Sequence, residues 1–315
     1  MNTQSNAVPE APLAAQGIAP AALSQAQPMY WSLRRELWEN RSTYIAPLAA
    51  AAVYLIGFLI SLFWVPSSMR GMAAHGPMPP VVVLAMPYSH AAMLLALTAF
   101  LVGIFYSLDA LHGERRDRSI LFWKSLPVSD LTTVLSKASV PLVVLPLLVV
   151  AITVTLQLVM RLVSLAVLAV SGAGAATLWT RLPLFQMELV LLYGTTVLAL
   201  WHAPIYCWFL LVSGWARRAT FLWAVLPLLA ISAVEYIAFH TSHLGFLLHD
   251  RLFGFAAAAF DLKDKNGVPI DAHFIPLTQL VPGRFLSSPS LWVGLIVAAI
   301  FLAAAVRLRR YQGPI

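Results

Sequence analysis

A chain of 315 residues that is 60% hydrophobic and 10% charged, with a mean hydropathy of +0.80, is not an ordinary soluble domain, in which about a quarter of the residues are charged. Its net charge of +7 comes from basic residues set in short blocks at the ends of apolar stretches, a pattern that sets membrane topology rather than one that binds nucleic acid. The single cysteine, Cys207, excludes an internal disulfide framework. The expected class is therefore an all-α polytopic membrane protein.

Residues 1–27 contain no basic residue, and the first arginine is Arg34. The positive region that opens a secretory signal is thus missing, and the segment reads as a disordered cytoplasmic tail. Residues 28–42 follow, with Tyr30, Leu33 and Leu37 at three- and four-residue spacing. Trp31 and Trp38 stand beside them, and Arg34, Arg35, Glu36 and Glu39 lie elsewhere on the wheel. This pattern suits an interfacial elbow helix with its arginines toward lipid headgroups; the alternative is a plain extension of the first span. The six-span transmembrane domain is then expected over residues 43–310.

The first span is expected over 44–65, long enough to cross a core of about 30 Å at 1.5 Å per residue, with Pro66 as its stop. The second covers 88–110, where Asp109 marks the exit. The third covers 131–160, with Pro141 and Pro146 as sources of a kink. Residues 161–185 carry Arg161, Arg181, the SGAGA patch and Pro183, and read as an external partial helix and loop. The fourth span covers 186–213, and the tight GWARRAT turn leads to the fifth, 221–239. About fifty residues precede the sixth, 291–306. They hold an apolar stretch from Leu244 to Phe260, the polar turn DLKDKNG and the return VPGRFLSSPS, which suits short external or re-entrant helices.

Six spans put both termini on one side. The N-terminal segment, the segment after span two with Lys137, the Arg217-Arg218 turn and the Arg307, Arg309, Arg310 tail hold 13 of the 20 basic residues. Basic residues in short flanks face the cytoplasm, so both termini are expected there.

No phosphate-binding loop, and not even one Gly-Lys dipeptide, occurs in the chain, so it does not hydrolyse nucleotide by a P-loop of its own. The motifs H-E-x-x-H, G-x-S-x-G and C-x-x-C are also missing. Energy for any transport must come from a gradient or a partner, and no cofactor is expected to bind directly.

The stretch His112–Asp130, HGERRDRSILFWKSLPVSD, is a charged island between two apolar spans. Asp117 and Ser119 are good helix-start residues, Ile120 to Trp123 supply apolar faces, and Pro127 stops the helix before Ser129 and Asp130 cap the next span. Two readings stay open on residue chemistry alone. One is a short helix seated in a groove of a cytoplasmic subunit; the other is an interfacial loop anchored by Trp123 and its arginines.

The run from Glu114 to Lys137 resembles the E-R-x-x-G-T-x-x-x-L-x-x-x-P-V-S-x-x-x-x-x-x-x-K signature after the second span of ABC-2 type transporter permeases, the membrane subunits of ATP-binding-cassette exporters. Glu114 and Arg115 match its opening, Ser119 stands for the threonine, Pro127, Val128 and Ser129 match P-V-S, and Lys137 matches the lysine; Arg118 stands at the glycine. The resemblance implies a coupling helix built from Glu114, Arg115, Asp117, Arg118, Ser119, Phe122, Trp123, Leu126 and Pro127. That helix would dock on a separate ATP-binding subunit holding ATP and magnesium. It also implies two six-span units per transporter, as homodimer or heterodimer, in a bacterial inner membrane. The alternative is an ATPase-independent carrier, sensor or scaffold.

The scarcity of charge in the spans favours an amphipathic, lipid-like or antibiotic cargo. Polar residues in spans are candidates for a translocation path: Gln157, Glu188, His202 and Glu235. Glu188 and Glu235 are expected near the external span ends, within reach of water, and His202 deep in the bundle beside Pro204. His240-x-x-His243 has the spacing of two metal ligands on a helix face, but no third ligand stands at a fixed spacing and no metal site is assigned.

Overall fold

The computed structural model describes residues 26–75, 80–125, 128–170, 183–262 and 275–315. The expected N-terminal tail through Gln25, Leu126, Pro127, the SGAGA patch and Arg181 lie outside the described residues, as does most of the DLKDKNG turn. The described residues are mostly helical, and six helices are long and apolar enough to cross a membrane, here spans one to six.

Span one lies in the helix Ser42–His75 and span two in Pro80–Asp109. Span three is a rod built from Asp130–Ser139, a π-helical segment Val140–Val144, and Leu145–Val170. Span four is Leu184–Trp215, span five Thr220–Phe239 and span six Pro289–Tyr311. Two expectations are corrected. The first helix passes Pro66 and runs to His75, just before the sequence pair Gly76-Pro77; a proline forfeits one ladder bond, which a long apolar helix can absorb. Residues 161–170 also continue span three rather than forming a separate external segment, because their run of Leu, Val and Ala extends the same helix.

The expected disturbance around Pro141 takes the form of the π segment. Leu145 N–H donates to the carbonyl of Val140, five residues back. The widened turn accommodates a residue that has no N–H of its own.

Span four is the axis of the bundle. In its most apolar 18-residue window 72% of residues are buried, against 6% in span five. Span six runs parallel along it: Trp201 packs in one cluster with Leu291, Ala203 and Cys207 with Ala298, and Leu210 with Ala305, numbers that rise together along both helices. Alanines at these levels let the two backbones approach closely, as helices must when no hydrophobic effect drives them together. Spans one, two and three share a separate cluster around Ala51, Tyr88, Leu95, Val149 and Met160.

At one end of the bundle a 14-residue helix, Ala26–Glu39, precedes span one, and two short helices, His112–Arg116 and Ile120–Ser125, fill the island. At the other end the chain between spans five and six forms helices His243–Phe253, Phe255–Ala259 and Pro282–Ser287. An antiparallel bridge, Phe260 to Leu280, ties this segment together.

Candidate functional site

The two short helices of the island meet at a tight turn. Asp117 N–H donates to Gly113 O at 2.9 Å, closing the first helix, and Leu121 and Trp123 N–H groups donate to Arg118 O and Ser119 O, opening the second. Between them Arg118 adopts φ 58°, the left-handed region, where a side chain costs roughly 1–2 kcal/mol and glycine nothing. Ser129, extended at ψ 149°, then caps span three by accepting a hydrogen bond from Thr132 N–H at 3.1 Å.

Under this turn lies a buried charge cluster. Glu114 receives Lys137 Nζ at 3.2 Å, Arg35 Nη2 at 3.0 Å and Arg309 Nη1. Glu36, fully buried, receives Lys137 Nζ at 2.8 Å, Arg35 Nη2 at 2.8 Å and the Tyr106 hydroxyl at 2.9 Å. Arg309 Nε also stands 3.2 Å from Asp130. Three cations, Arg35, Lys137 and Arg309, thus face three carboxylates, Glu36, Glu114 and Asp130. Such a balance is what burial demands, since an unpaired charge here would keep its full desolvation penalty. At the rim Arg35 also reaches Glu39 at 3.6 Å; burial pushes the Glu39 carboxyl above its ordinary pKa, with Arg35 pulling it down.

Five separate pieces of chain converge on this cluster: the N-terminal helix, the end of span two, the island, the start of span three and the end of span six. Arg115 extends the connection. Its guanidinium donates to Gly214 O at 2.7 Å and to Ala216 O at 3.3 Å at the end of span four, and to Gly313 O at 3.3 Å. A cation there completes the last carbonyls of a helix and complements its dipole. Lys124 donates to Gln312 O at 2.9 Å, and Ile315 N–H to Arg115 O at 3.2 Å, so residues 312–315 lie along the island.

The island residues singled out in the sequence therefore divide. Glu114 and Arg115 are buried and serve inside the bundle. Ser119 donates to Glu114 O at 3.4 Å and steadies the turn. Trp123 lies under Arg35, 3.8 Å from its guanidinium carbon. Asp117, Arg118 and Phe122 face outward, with Leu121 and Phe122 59% and 60% exposed.

The polar span residues also divide. Gln157 is buried and donates to Tyr88 O at 3.0 Å, with its Oε1 unpartnered among the described residues. Glu188 is half-buried, and its Oε2 likewise finds no partner among the described residues. His202 stands eighteen residues from the Leu184 end of span four, about 27 Å along the axis. Its Nε2 lies 3.3 Å from Leu252 O and its Nδ1 3.0 Å from Leu198 O. Two acceptors face two ring nitrogens, so the neutral ring can donate to only one at a time.

Leu252 belongs to the last turn of the helix His243–Phe253, whose final carbonyls have no partner within that helix. Span four supplies them: Trp201 Nε1 donates to Asp250 O at 3.1 Å beside the His202 contact. Arg251 lays its guanidinium over the Trp201 ring at 4.8 Å and donates to Ser290 at the start of span six. At the other end of the same helix, Glu235 of span five accepts from the N–H groups of His243 at 2.6 Å and Leu244 at 3.0 Å, and from Thr241. His202 and Glu235 thus fix the two ends of one helix that folds back against span four. Among the described residues no group of three or more His, Cys, Asp or Glu side chains could hold a metal ion.

Sequence reasoning placed Glu114 but missed Glu36, Tyr106 and Arg309 as its companions. The available signal was that Glu36, Glu114 and Asp130 are acids in flanks otherwise dominated by arginine and lysine. Comparison with known protein families, curated proteins and solved structures finds no match to this chain.

Proposed function

We propose that this chain is the membrane-spanning subunit of an ABC-2 type ATP-binding-cassette exporter. ATP and magnesium bind in a separate ATPase subunit, and two six-span units form the transporter, in a bacterial inner membrane with both termini cytoplasmic. The observation that carries the reading is the geometry of the Glu114–Lys137 run. Its two charged ends pair at 3.2 Å, and the position that holds glycine in the resembling signature is the one where Arg118 takes φ 58°. A turn that wants glycine in one chain and is left-handed in the other is the same turn in physical terms.

In this reading the helix Ala26–Glu39 is the interfacial elbow and the Ile120–Ser125 helix is the coupling helix. Leu121 and Phe122, with Asp117 and Arg118 at the turn, form its docking face. Glu114 and Arg115 act from behind, joining the helix to spans two, three, four and six. ATP drives transport only to the extent that it binds one conformation of the transporter better than the other, and a docking face tied to four spans gives that difference a route into the bundle. The cargo in this reading is an amphipathic or lipid-like molecule or an antibiotic.

The test is purification of the tagged chain from its native cell. An ATP-binding subunit should co-purify with it, and the double variant Leu121→Asp, Phe122→Asp should lose that subunit while the membrane protein itself persists. Stimulation of ATP hydrolysis in the reconstituted complex by a panel of lipids and antibiotics then identifies the cargo class. If transport continues in vesicles depleted of ATP, the ATPase-dependent reading fails and a gradient-driven carrier takes its place.

A further inference from the structure

The helix Ala26–Glu39 carries two consecutive arginines with opposite fates. Arg35 is consumed internally, by Glu36, Glu39 and Glu114. Arg34 faces outward and has no carboxylate within ion-pair distance among the described residues; its guanidinium carbon lies 5.4 Å from the Trp31 ring centre and 5.8 Å from that of Trp38. Both indoles are exposed, at 58% and 71%. At 3.6 residues per turn, Tyr30, Trp31, Arg34 and Trp38 fall within an arc of about 100°, and the buried Glu36 is on the opposite side. Exposed Arg41 follows just before span one.

A patch of exposed tryptophans is anomalous on a surface facing only water. It is ordinary at the headgroup level of a bilayer, where an indole keeps its ring among acyl chains and its N–H near water. The helix ends three residues before span one begins at Ser42, so its outward face lies at the membrane surface. A guanidinium that uses its faces on two rings keeps its in-plane N–H donors for an acceptor in that plane, and its fork geometry fits phosphate oxygens.

We propose that Trp31, Arg34 and Trp38 form a binding site for the phosphate of an anionic phospholipid, with the two indoles holding the adjoining acyl-glycerol region and Arg41 adding to the preference for negative headgroups. The proposal rests on the membrane spans and not on the ATPase reading.

The test uses the full chain purified in detergent, offered phosphatidylglycerol and phosphatidylcholine in equal amounts, with bound lipid counted by native mass spectrometry. Phosphatidylglycerol adducts should exceed phosphatidylcholine adducts by about fivefold, the factor that one cation near a headgroup contributes. Arg34→Gln should remove most of the preference, leaving only the share that Arg41 adds, Arg34→Lys should keep most of it, and the pair Trp31→Leu, Trp38→Leu should lower adducts of both lipids. Arg218→Gln, at an exposed arginine of the turn between spans four and five, should leave the preference unchanged. These side chains are exposed, and unchanged elution on gel filtration checks that each variant is folded. The proposal is overturned if Arg34→Gln binds phosphatidylglycerol as the unaltered protein does, or if Arg218→Gln loses the preference equally. Displacement of the lipid by inorganic phosphate would likewise overturn it, by assigning Arg34 a free anion instead.

Discussion

The two ends of this bundle bury polar groups by different means. Beneath the island, three cations and three carboxylates from four stretches of chain neutralise one another. At the far end charges bond to neutral groups, Glu235 to amides and a hydroxyl, Asp250 and Arg251 to Ser290, and Arg284 to backbone carbonyls. The helix His243–Phe253 is held at its two ends, by Trp201 Nε1 on Asp250 O and the His202–Leu252 contact, and by Glu235 on its first N–H groups. A charge cluster is strong only while complete, because each member deleted leaves another buried and unpaired. A capped helix end loses its partners one at a time, each at modest cost. The first arrangement suits a junction that must move as a unit, the second a segment that is seated and can be released in steps.

The largest expected effect is at the centre of the cluster. Glu114→Ala leaves Lys137, Arg35 and Arg309 short of a carboxylate and should destabilise the protein by about 3–5 kcal/mol, read as a fall in melting temperature in detergent. Neutralising a pair, Glu36→Gln with Lys137→Met, should cost clearly less than the sum of the single changes; additive costs would mean that the cluster is not a unit. At the helix His243–Phe253, Trp201→Phe keeps an aromatic face but removes the donor to Asp250 O and leaves the space of the fused ring unfilled, for a loss of about 2–4 kcal/mol. Its combination with Glu235→Ala should be close to additive, because the two act at opposite ends of the helix. Glu235→Ala alone should cost about 1 kcal/mol, as an N-terminal cap does, and accelerate hydrogen exchange at the amides of His243 and Leu244. The smallest effect has the opposite sign: Arg118→Gly relieves the left-handed turn and should raise stability by about 0.5–1 kcal/mol.

Much of this architecture was legible in the sequence because the bilayer imposes a simple rule: a span needs enough apolar residues to cross. That rule found all six spans, and the turn residues around Ser129 marked where span three restarts. It failed at Pro66 and after Met160, where local breakers and single charges suggested ends that the continuing helix overrode. The charge cluster was harder to see. Glu36 pairs with Lys137 across 101 residues and Glu114 with Arg309 across 195, and no local pattern encodes such pairings. On the wheel of its own helix Glu36 looked like any polar residue. His202 was legible as a deep polar group bonded within the bundle, but its partner, the carbonyl of Leu252, is backbone and leaves no mark in the sequence.

Cys207 is the chain's single sulfhydryl, 1% exposed and packed between spans four and six beside Ala203 and Ala298. Thiol reagents act on accessible thiolates, so they pass this residue by. The unaltered protein is thus already a silent background for site-directed spectroscopy. A spin label or dye on a cysteine introduced at position 34, paired with another at position 122, would report how the N-terminal helix and the island move relative to each other, with no native thiol to remove first.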